Sequence, residues 1–436
     1  MALTGRTALV AALGALFVGL VLPSWTGLLA VELPLLLAIV ADLAWAAPVN
    51  RLLFTRSGDT SVRLGEQAVA SLVVSNPSRR PLRARIRDAW PPSCWPSDTP
   101  PEAGHHRLRI PPGERRRITT ALQPTRRGDR TAHRVTVRSY GPLGLAARQG
   151  HHQVPWTIRV LPAFTSRKHL PAKLARLREL DGRTNVLTRG QGTEFDSLRD
   201  YVPGDDTRSI DWRATARQTS VAVRTWRPER DRRILLALDT GRTSAGRLGN
   251  VPRLDVAMDA ALLLAALASR ADDRVDLLAH DRAARARVTG RTGHQVLPAM
   301  VDAMAPVESA LVESDLRSLA STALRMAPQR SLLVLFTGLD RAPVEEGLLP
   351  VLPLLTQRHT VLVAAVADPR IDEMARARGS LDAVYDAAAA SRAQAERKET
   401  ADRLRRHGVT VVDAPPSRLA PELADAYLAL KAAGRL

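Results

Sequence analysis

Cysteine occurs once in these 436 residues, at Cys94, so the chain can build neither an internal disulfide framework nor a cysteine-based zinc site. Aromatic residues make up 4% of the chain and do not alternate with its cations, which leaves no stacking platform for single-stranded nucleic acid. Lysine stands only at Lys168, Lys173, Lys398 and Lys431; every other cation is arginine, and the formal net charge is +19. Such a charge fits a binder of nucleic acid or of an anionic surface, and equally a coding bias toward arginine. No Ser–His–Asp or His-Glu-x-x-His pattern is present. Gly241 and Gly246 have the spacing of a phosphate-binding loop, but Arg247-Leu248 stands where Lys-Ser/Thr is required, so nucleotide binding is not expected.

What the chain does have is apolar residues at 45%, enough for ordinary cores in two or three domains. The first are two runs at the N-terminus. Thr7 to Leu22 is uncharged and about 24 Å long as a helix; Leu28 to Ala47 is about 30 Å, interrupted by Glu32, Pro34 and Asp42. Pro23-Ser24-Trp25-Thr26-Gly27 reads as a tight turn with Trp25 at an interface. A signal peptide has one apolar core, not two, so residues 1–50 are read as a two-helix membrane hairpin. Arg6, Arg51 and Arg56 flank the spans and place both ends, and the bulk of the chain, in the cytoplasm. From Arg51 to Val160 there are 20 arginines against 7 acidic residues, 20 − 7 = +13, which suits anionic lipid headgroups beside the membrane.

Residues 57–162 then alternate in short strands broken by turns, the pattern of a small β-sandwich. Ala68–Val74, Leu82–Ile86, Arg117–Leu122 and His133–Val137 are strand candidates. The pairs His105-His106 and His151-His152 are adjacent residues, which on a strand point to opposite faces, so neither converges on a metal ion; they are read as exposed loop histidines. Over residues 163–231, Leu174–Leu180 reads as a short helix ending near Gly182, followed by a segment dense in charge.

That segment runs from Gly192-Thr193-Glu194-Phe195-Asp196-Ser197-Leu198-Arg199-Asp200-Tyr201-Val202-Pro203-Gly204-Asp205-Asp206 to Ile210-Asp211-Trp212-Arg213-Ala214-Thr215-Ala216-Arg217. Residues 232–436 alternate apolar strands (Ile234–Leu238, Val275–Ala279, Leu332–Phe336, Thr360–Val366, Val409–Val412) with helices (Asp255–Ser269, Gln295–Met304, Leu316–Met326, Leu381–Arg405, Pro421–Lys431). This order implies a parallel sheet covered on both faces, with binding at the carboxyl ends of its strands, where Asp239 stands.

The charged segment followed by a strand ending on Asp239 resembles the bacterial domain-of-unknown-function family 58, whose members join such a segment to a von Willebrand factor A (vWA) type α/β domain. Tyr140-Gly141-Pro142-Leu143-Gly144-Leu145 is similar to the end of the family's β-rich domain. The resemblance implies a Rossmann-type vWA-like fold and partnership with a MoxR-type AAA+ ATPase. It also implies a metal-ion-dependent adhesion site of the form Asp-x-Ser-x-Ser, suited to Mg²⁺. Here the run is Asp239-Thr240-Gly241-Arg242-Thr243. Asp239, Thr243 and Ser314 are the candidate metal ligands, but Gly241 lacks the first hydroxyl, Arg242 adds a cation, and Asp340 comes two residues after Gly338, where an Asp is expected. A degenerate site without a cofactor is the expectation, with Mg²⁺ as the alternative.

Glu194, Asp196, Arg199, Asp200, Tyr201, Asp205, Asp211, Trp212 and Arg213 are the candidate partner-binding residues. Their mixed charges serve equally a docking face or a lock onto the α/β core, with Phe195, Leu198, Tyr201 and Trp212 packed on that core. The chain is therefore read as a membrane-anchored, non-enzymatic adaptor with lipid and ATPase partners and no nucleic acid. The alternatives are an arginine-driven binder of nucleic acid or anionic surfaces and a metal-dependent hydrolase centred on Asp239.

Overall fold

Two units divide the chain, Met1–Ala163 and Phe164–Leu436, in the computed structural model. It describes residues 1–96, 98–99, 103–187, 194–203, 205, 207–217, 220–227 and 232–436, with backbone alone at 181–187, 194–197 and 225–227.

In the first unit, β1 (Ala2–Leu3) precedes the apolar helices α1 (Gly5–Val21) and α2 (Trp25–Trp45). The turn between them is tighter than Pro23–Gly27. Ser24 caps α2 by accepting the Gly27 amide at 3.1 Å, and Trp25 is already helical. The helices meet at Gly14, where any Cβ would run into Val31. Trp25–Arg51 has a mean hydropathy of 2.1 and is long and apolar enough to cross a membrane; α1 is a shorter apolar helix. Leu13, Leu16, Leu33 and Leu37 all face outward.

Strands follow as β2 (Leu53–Gly58), β3 (Ser61–Arg63), β4 (Ala68–Ser75), β5 (Leu82–Ala89), β6 (His105–Ile110), β7 (Arg115–Leu122), β8 (Gly128–Thr131), β9 (Arg134–Tyr140), β10 (Ala146–His152) and β11 (Thr157–Leu161). They form sheets of order β1-β10-β9-β5-β6, β2-β4-β7 and β3-β11-β8. Alternation along β4 and β5 sends one face inward. Leu72 and Val74 of one sheet share a core with Ile86, Ile110 and Val137 of another.

Both histidine pairs lie on strands, β6 and β10, rather than in exposed loops. His106 Nε2 is 3.0 Å from the Thr120 hydroxyl, and burial lowers its pKa. Arg56 is likewise no free flanking charge. It is buried in a two-pronged ion pair with Asp88 (2.7 and 3.2 Å) that also accepts from the Trp90 indole at 2.9 Å. Cys94 is fully buried, and that burial pushes its thiol up to about 11, so it is unreactive at neutral pH.

Asp42 is more than an interruption of an apolar run. It is wholly buried at the end of α2, where its carboxylate accepts the backbone N–H groups of Leu143, Leu145 and Ala146, each at 2.8 Å. A Cβ on Gly141 would strike that carboxylate, and Gly144 turns the chain at φ +70°, a conformation that favours glycine. The Tyr140–Leu145 run is thus a cradle for a helix-borne carboxylate. Thr4 donates to the Gly144 and Leu145 carbonyls, so the start of α1 docks on the same turn.

In the second unit α3 (Leu170–Leu187) runs through Gly182 instead of stopping there. A separate antiparallel pair, β12 (Glu194–Asp200) and β13 (Ala222–Arg227), encloses the one-turn α4 (Trp212–Thr215). The α/β part begins with β14 (Arg233–Asp239) and α5 (Arg242–Ala245). A two-rung ladder of β15 (Arg247–Leu248) and β16 (Val251–Pro252) leads into α6 (Arg253–Arg270). Then come β17 (Arg274–His280), β18 (Ala284–Val288), α7 (Val296–Met304), α8 (Leu316–Met326), β19 (Leu332–Phe336), α9 (Leu352–Thr356), β20 (Thr360–Val366), α10 (Pro369–Arg376), α11 (Leu381–Arg406), β21 (Thr410–Ala414) and α12 (Pro416–Ala432).

The sheet order is β18-β17-β14-β19-β20-β21. All pairings are parallel except that of β18, an antiparallel edge strand absent from the sequence reading, whose alternating Arg and Ala leave it largely exposed. The parallel strands are continuous apolar runs because both faces are covered. α8, α9 and α11 share a core with one face, while α6 and α12 pack on the same sheet and on each other. In chain order the strands lie 3-2-1-4-5-6, and the topological switch falls between β14 and β19, directly beyond Asp239.

Candidate functional site

β14 delivers Asp239 to the switch point, where three loops meet. Its Oδ1 accepts from the Gly241 amide at 2.9 Å and from the Ser314 hydroxyl; its Oδ2 accepts from Thr243 at 3.1 Å and Thr337 at 2.7 Å. Asp239 is 2% exposed, yet it borders a cavity of about 300 Å³ with Arg242, Glu313, Leu316 and Glu346. The predicted trio Asp239, Thr243 and Ser314 is therefore brought together. Thr337 is the member the sequence reading missed. It lies directly after β19, and its position one residue past the strand facing Asp239 was the available signal.

Each departure from the adhesion-site pattern has a local cause. A side chain on Gly241 would collide with the Ser314 hydroxyl, which fills the space the absent hydroxyl would take. Asp340 folds back so that its Oδ2 lies 2.6 Å from where a Cβ on Gly338 would be, close to Thr243, and 4.0 Å from Arg253. Arg242 turns to Glu313, 2.5 Å away in an exposed pair.

The oxygens are hard donors of the kind Mg²⁺ takes. But Gly241 offers no ligand where the pattern has a hydroxyl, and Asp340 is displaced from Gly338, where the pattern has its second carboxylate. The residues present do not complete a shell. Beside Asp239 in the sheet register, His280 at the end of β17 is buried, with its pKa lowered by burial, and it does not line the cavity. Asp281 accepts from the Arg282 and Ala283 amides and from Arg285 Nε at 2.7 Å, which orders the loop beside Thr240.

The charged segment forms the β12–β13 hairpin and the chain between. Arg199 and Asp205 make a two-pronged pair at 2.7 and 2.5 Å, and Asp205 also accepts the Val202 amide at 3.0 Å, closing the turn. Asp211 caps α4 through the Arg213 and Ala214 amides and holds Arg224 at 2.8 Å. The Ala214 amide first, then Arg224, keeps its carboxyl below the usual range. Asp200 accepts from Ser220 at 2.6 Å, and Tyr201 is half-buried. Arg213 is exposed. The side chains of Glu194, Phe195 and Asp196 lie outside the described residues.

Trp212 does not pack on the α/β core as expected; it is 69% exposed at the first position of α4, and Leu198 is exposed as well. The neighbouring charges hold the segment's own backbone, and the aromatic is left outside.

Residues 197–410 match the family described as protein of unknown function DUF58. The uncharacterized protein Rv1480 of Mycobacterium tuberculosis is 32% identical over 43% of this chain and 59% of its own length. The chain thus spans about three-fifths of that relative. The uncharacterized protein YeaD of Bacillus subtilis is 24% identical over 29% of this chain and 32% of its own. Among solved structures, the SpRpn10 VWA domain is similar at 13% identity and a TM-score of 0.29, covering 45% of this chain and 94% of that domain. The match takes in most of the charged hairpin and of the sheet built around Asp239, and over residues 197–410 the chain is similar to the DUF58 family of proteins of unknown function.

Proposed function

We propose that this protein is a membrane-anchored, non-enzymatic adaptor that presents the β12–β13 hairpin to a MoxR-type AAA+ ATPase. The exposure of Trp212 carries the reading. A large aromatic held out on a turn braced by Arg199–Asp205 and Asp211–Arg224 loses little entropy on docking, and tryptophan is enriched among the residues that dominate interface energy. Arg213 beside it supplies a cation for an acidic partner surface.

The absence of enzyme chemistry in this reading is supported by the Asp239 cavity. Asp239 has both oxygens occupied, and His280, its register partner on β17, is buried and does not line the cavity. The anchor reading is supported by the length and hydropathy of Trp25–Arg51 and by the outward leucines of both helices, with α1 and α2 as a hairpin and both ends cytoplasmic. The α/β part would be a vWA-like domain, and its adhesion site would work without a metal.

The test is titration of the purified full chain with a purified MoxR-type ATPase. Trp212→Ala is expected to weaken binding at least about tenfold while leaving the melting temperature in place. Undiminished affinity overturns the docking face. A reporter active only outside the cytoplasm, fused behind Ala163, should give no signal; a strong signal overturns the topology.

A further inference from the structure

Register decides what the outer face of β5 and β6 carries. Arg83 stands opposite Arg109 and Arg85 opposite Arg107. Side chains alternate along a strand, so these four guanidinium groups share one face while Ala84, Ile86 and Ile110 fill the core on the other. Like charges directly opposite one another destabilise a sheet, so the Arg83–Arg109 pair favours an anion on this face. Among the described residues, no carboxylate pairs with Arg83, Arg107 or Arg109.

The face opens into a groove of about 800 Å³ lined also by Thr4, Gly5, Arg6 and the Tyr140–Pro142 turn. The first turn of α1, which carries no acidic residue, adds the orphan N–H groups of a helix start. The groove lies at the end of the apolar helices where both enter the β layers. There Asp42 and Thr4 dock on residues 143–146, Arg148 donates to the Leu43 carbonyl at 2.9 Å, and Arg80 donates to that of Ala44.

We propose that this groove is a binding site for the headgroup phosphate of an anionic phospholipid. The inference rests on the membrane-anchored reading. With α2 in lipid, its Asp42 end stands at headgroup depth, and guanidinium pairs spaced across two strands suit phosphate oxygens. Anionic lipid neutralises the repulsion between Arg83 and Arg109, neither of which has a carboxylate partner among the described residues.

The full chain in neutral detergent is titrated with dioctanoyl phosphatidylglycerol or dioctanoyl phosphatidylcholine, and bound lipids are counted by native mass spectrometry. Phosphatidylglycerol should be retained selectively. The triple variant Arg83→Gln, Arg107→Gln, Arg109→Gln should weaken that retention at least about tenfold. Arg115→Gln, Arg116→Gln, Arg117→Gln removes the same charge from β7 on another sheet and should leave retention unchanged. Equal retention of the two lipids, or equal loss in both triple variants, overturns the site.

Displacement of the lipid by millimolar inorganic phosphate overturns the commitment to a lipid source. If the first triple variant fails to fold, Arg109→Gln alone should still lower retention, and an unchanged value overturns the proposal. Carbonate washing of cell membranes reports separately on the anchor. Release of the chain sinks the membrane reading, whereas a chain that stays in the pellet but shows no preference for phosphatidylglycerol sinks only the groove.

Discussion

Asp42 and Asp239 are both buried carboxylates surrounded by donors, yet they do opposite things. Asp42 accepts from three backbone amides fixed in one turn, and a glycine at 141 is required for the approach. Asp239 accepts from one amide and three hydroxyls and borders a cavity. Amides in a turn cannot rotate away; hydroxyls can. The first aspartate is a joint between helix and sheet, and the second sits where its partners can be exchanged. The number of hydrogen bonds does not tell joint from site; the kind of donor does.

Removing each carboxylate is the direct way to break this contrast. Asp42→Ala strands three amides and is expected to cost about 3–5 kcal/mol, read from thermal or denaturant unfolding in detergent. Gly141→Ala should approach it, because the new methyl forces the carboxylate out. Asp239→Ala is expected to cost less, about 1–3 kcal/mol, since the freed hydroxyls can turn to water in the cavity. Equal losses at the two positions would erase the distinction.

Calorimetry of the full chain with millimolar Mg²⁺ should show no saturable heat. A micromolar dissociation constant abolished by Asp239→Ala would mean that the hydroxyls do exchange onto a metal. Arg199→Ala should lower the melting temperature less than Asp239→Ala does, by opening the pair with Asp205. Trp212→Ala should change stability by no more than about 0.5 kcal/mol, as an exposed side chain does.

The smallest effect expected is one of pH. His106, His280 and His359 have pKa values lowered by burial. The folded chain binds their protons more weakly than the unfolded chain, so the stability they confer is full above about pH 6.5 and is lost as pH falls below it. A melting temperature flat from pH 8 to 7 and declining toward pH 5 is the expected profile. A rise on acidification would show that these groups are charged in the fold.

Much of this architecture was determined by pattern alone. The five parallel strands announce themselves as uninterrupted apolar runs because a sheet covered on both faces leaves no polar side to alternate. Asp239 was legible because it ends the first of those runs, and Thr243 and Ser314 through the resemblance to the adhesion-site pattern. The alternating β4 and β5 and the apolar N-terminal helices were legible for the same periodic reasons.

Tertiary structure alone decided the rest, wherever a residue's role depends on a partner distant in sequence. β18 escaped because an exposed edge strand of Arg and Ala has no buried face to print a period. Arg56 read as a flanking charge until Asp88, 32 residues away, appeared beside it. Trp212 read as core because size and apolarity imply burial, but whether anything covers a side chain is a property of the packed molecule. Asp42 looked like a flaw in an apolar helix; the three amides that make it a joint lie about a hundred residues further on. Local physics writes periods and turns into a sequence, while the pairing of distant charges, donors and cavities exists only once the chain has closed on itself.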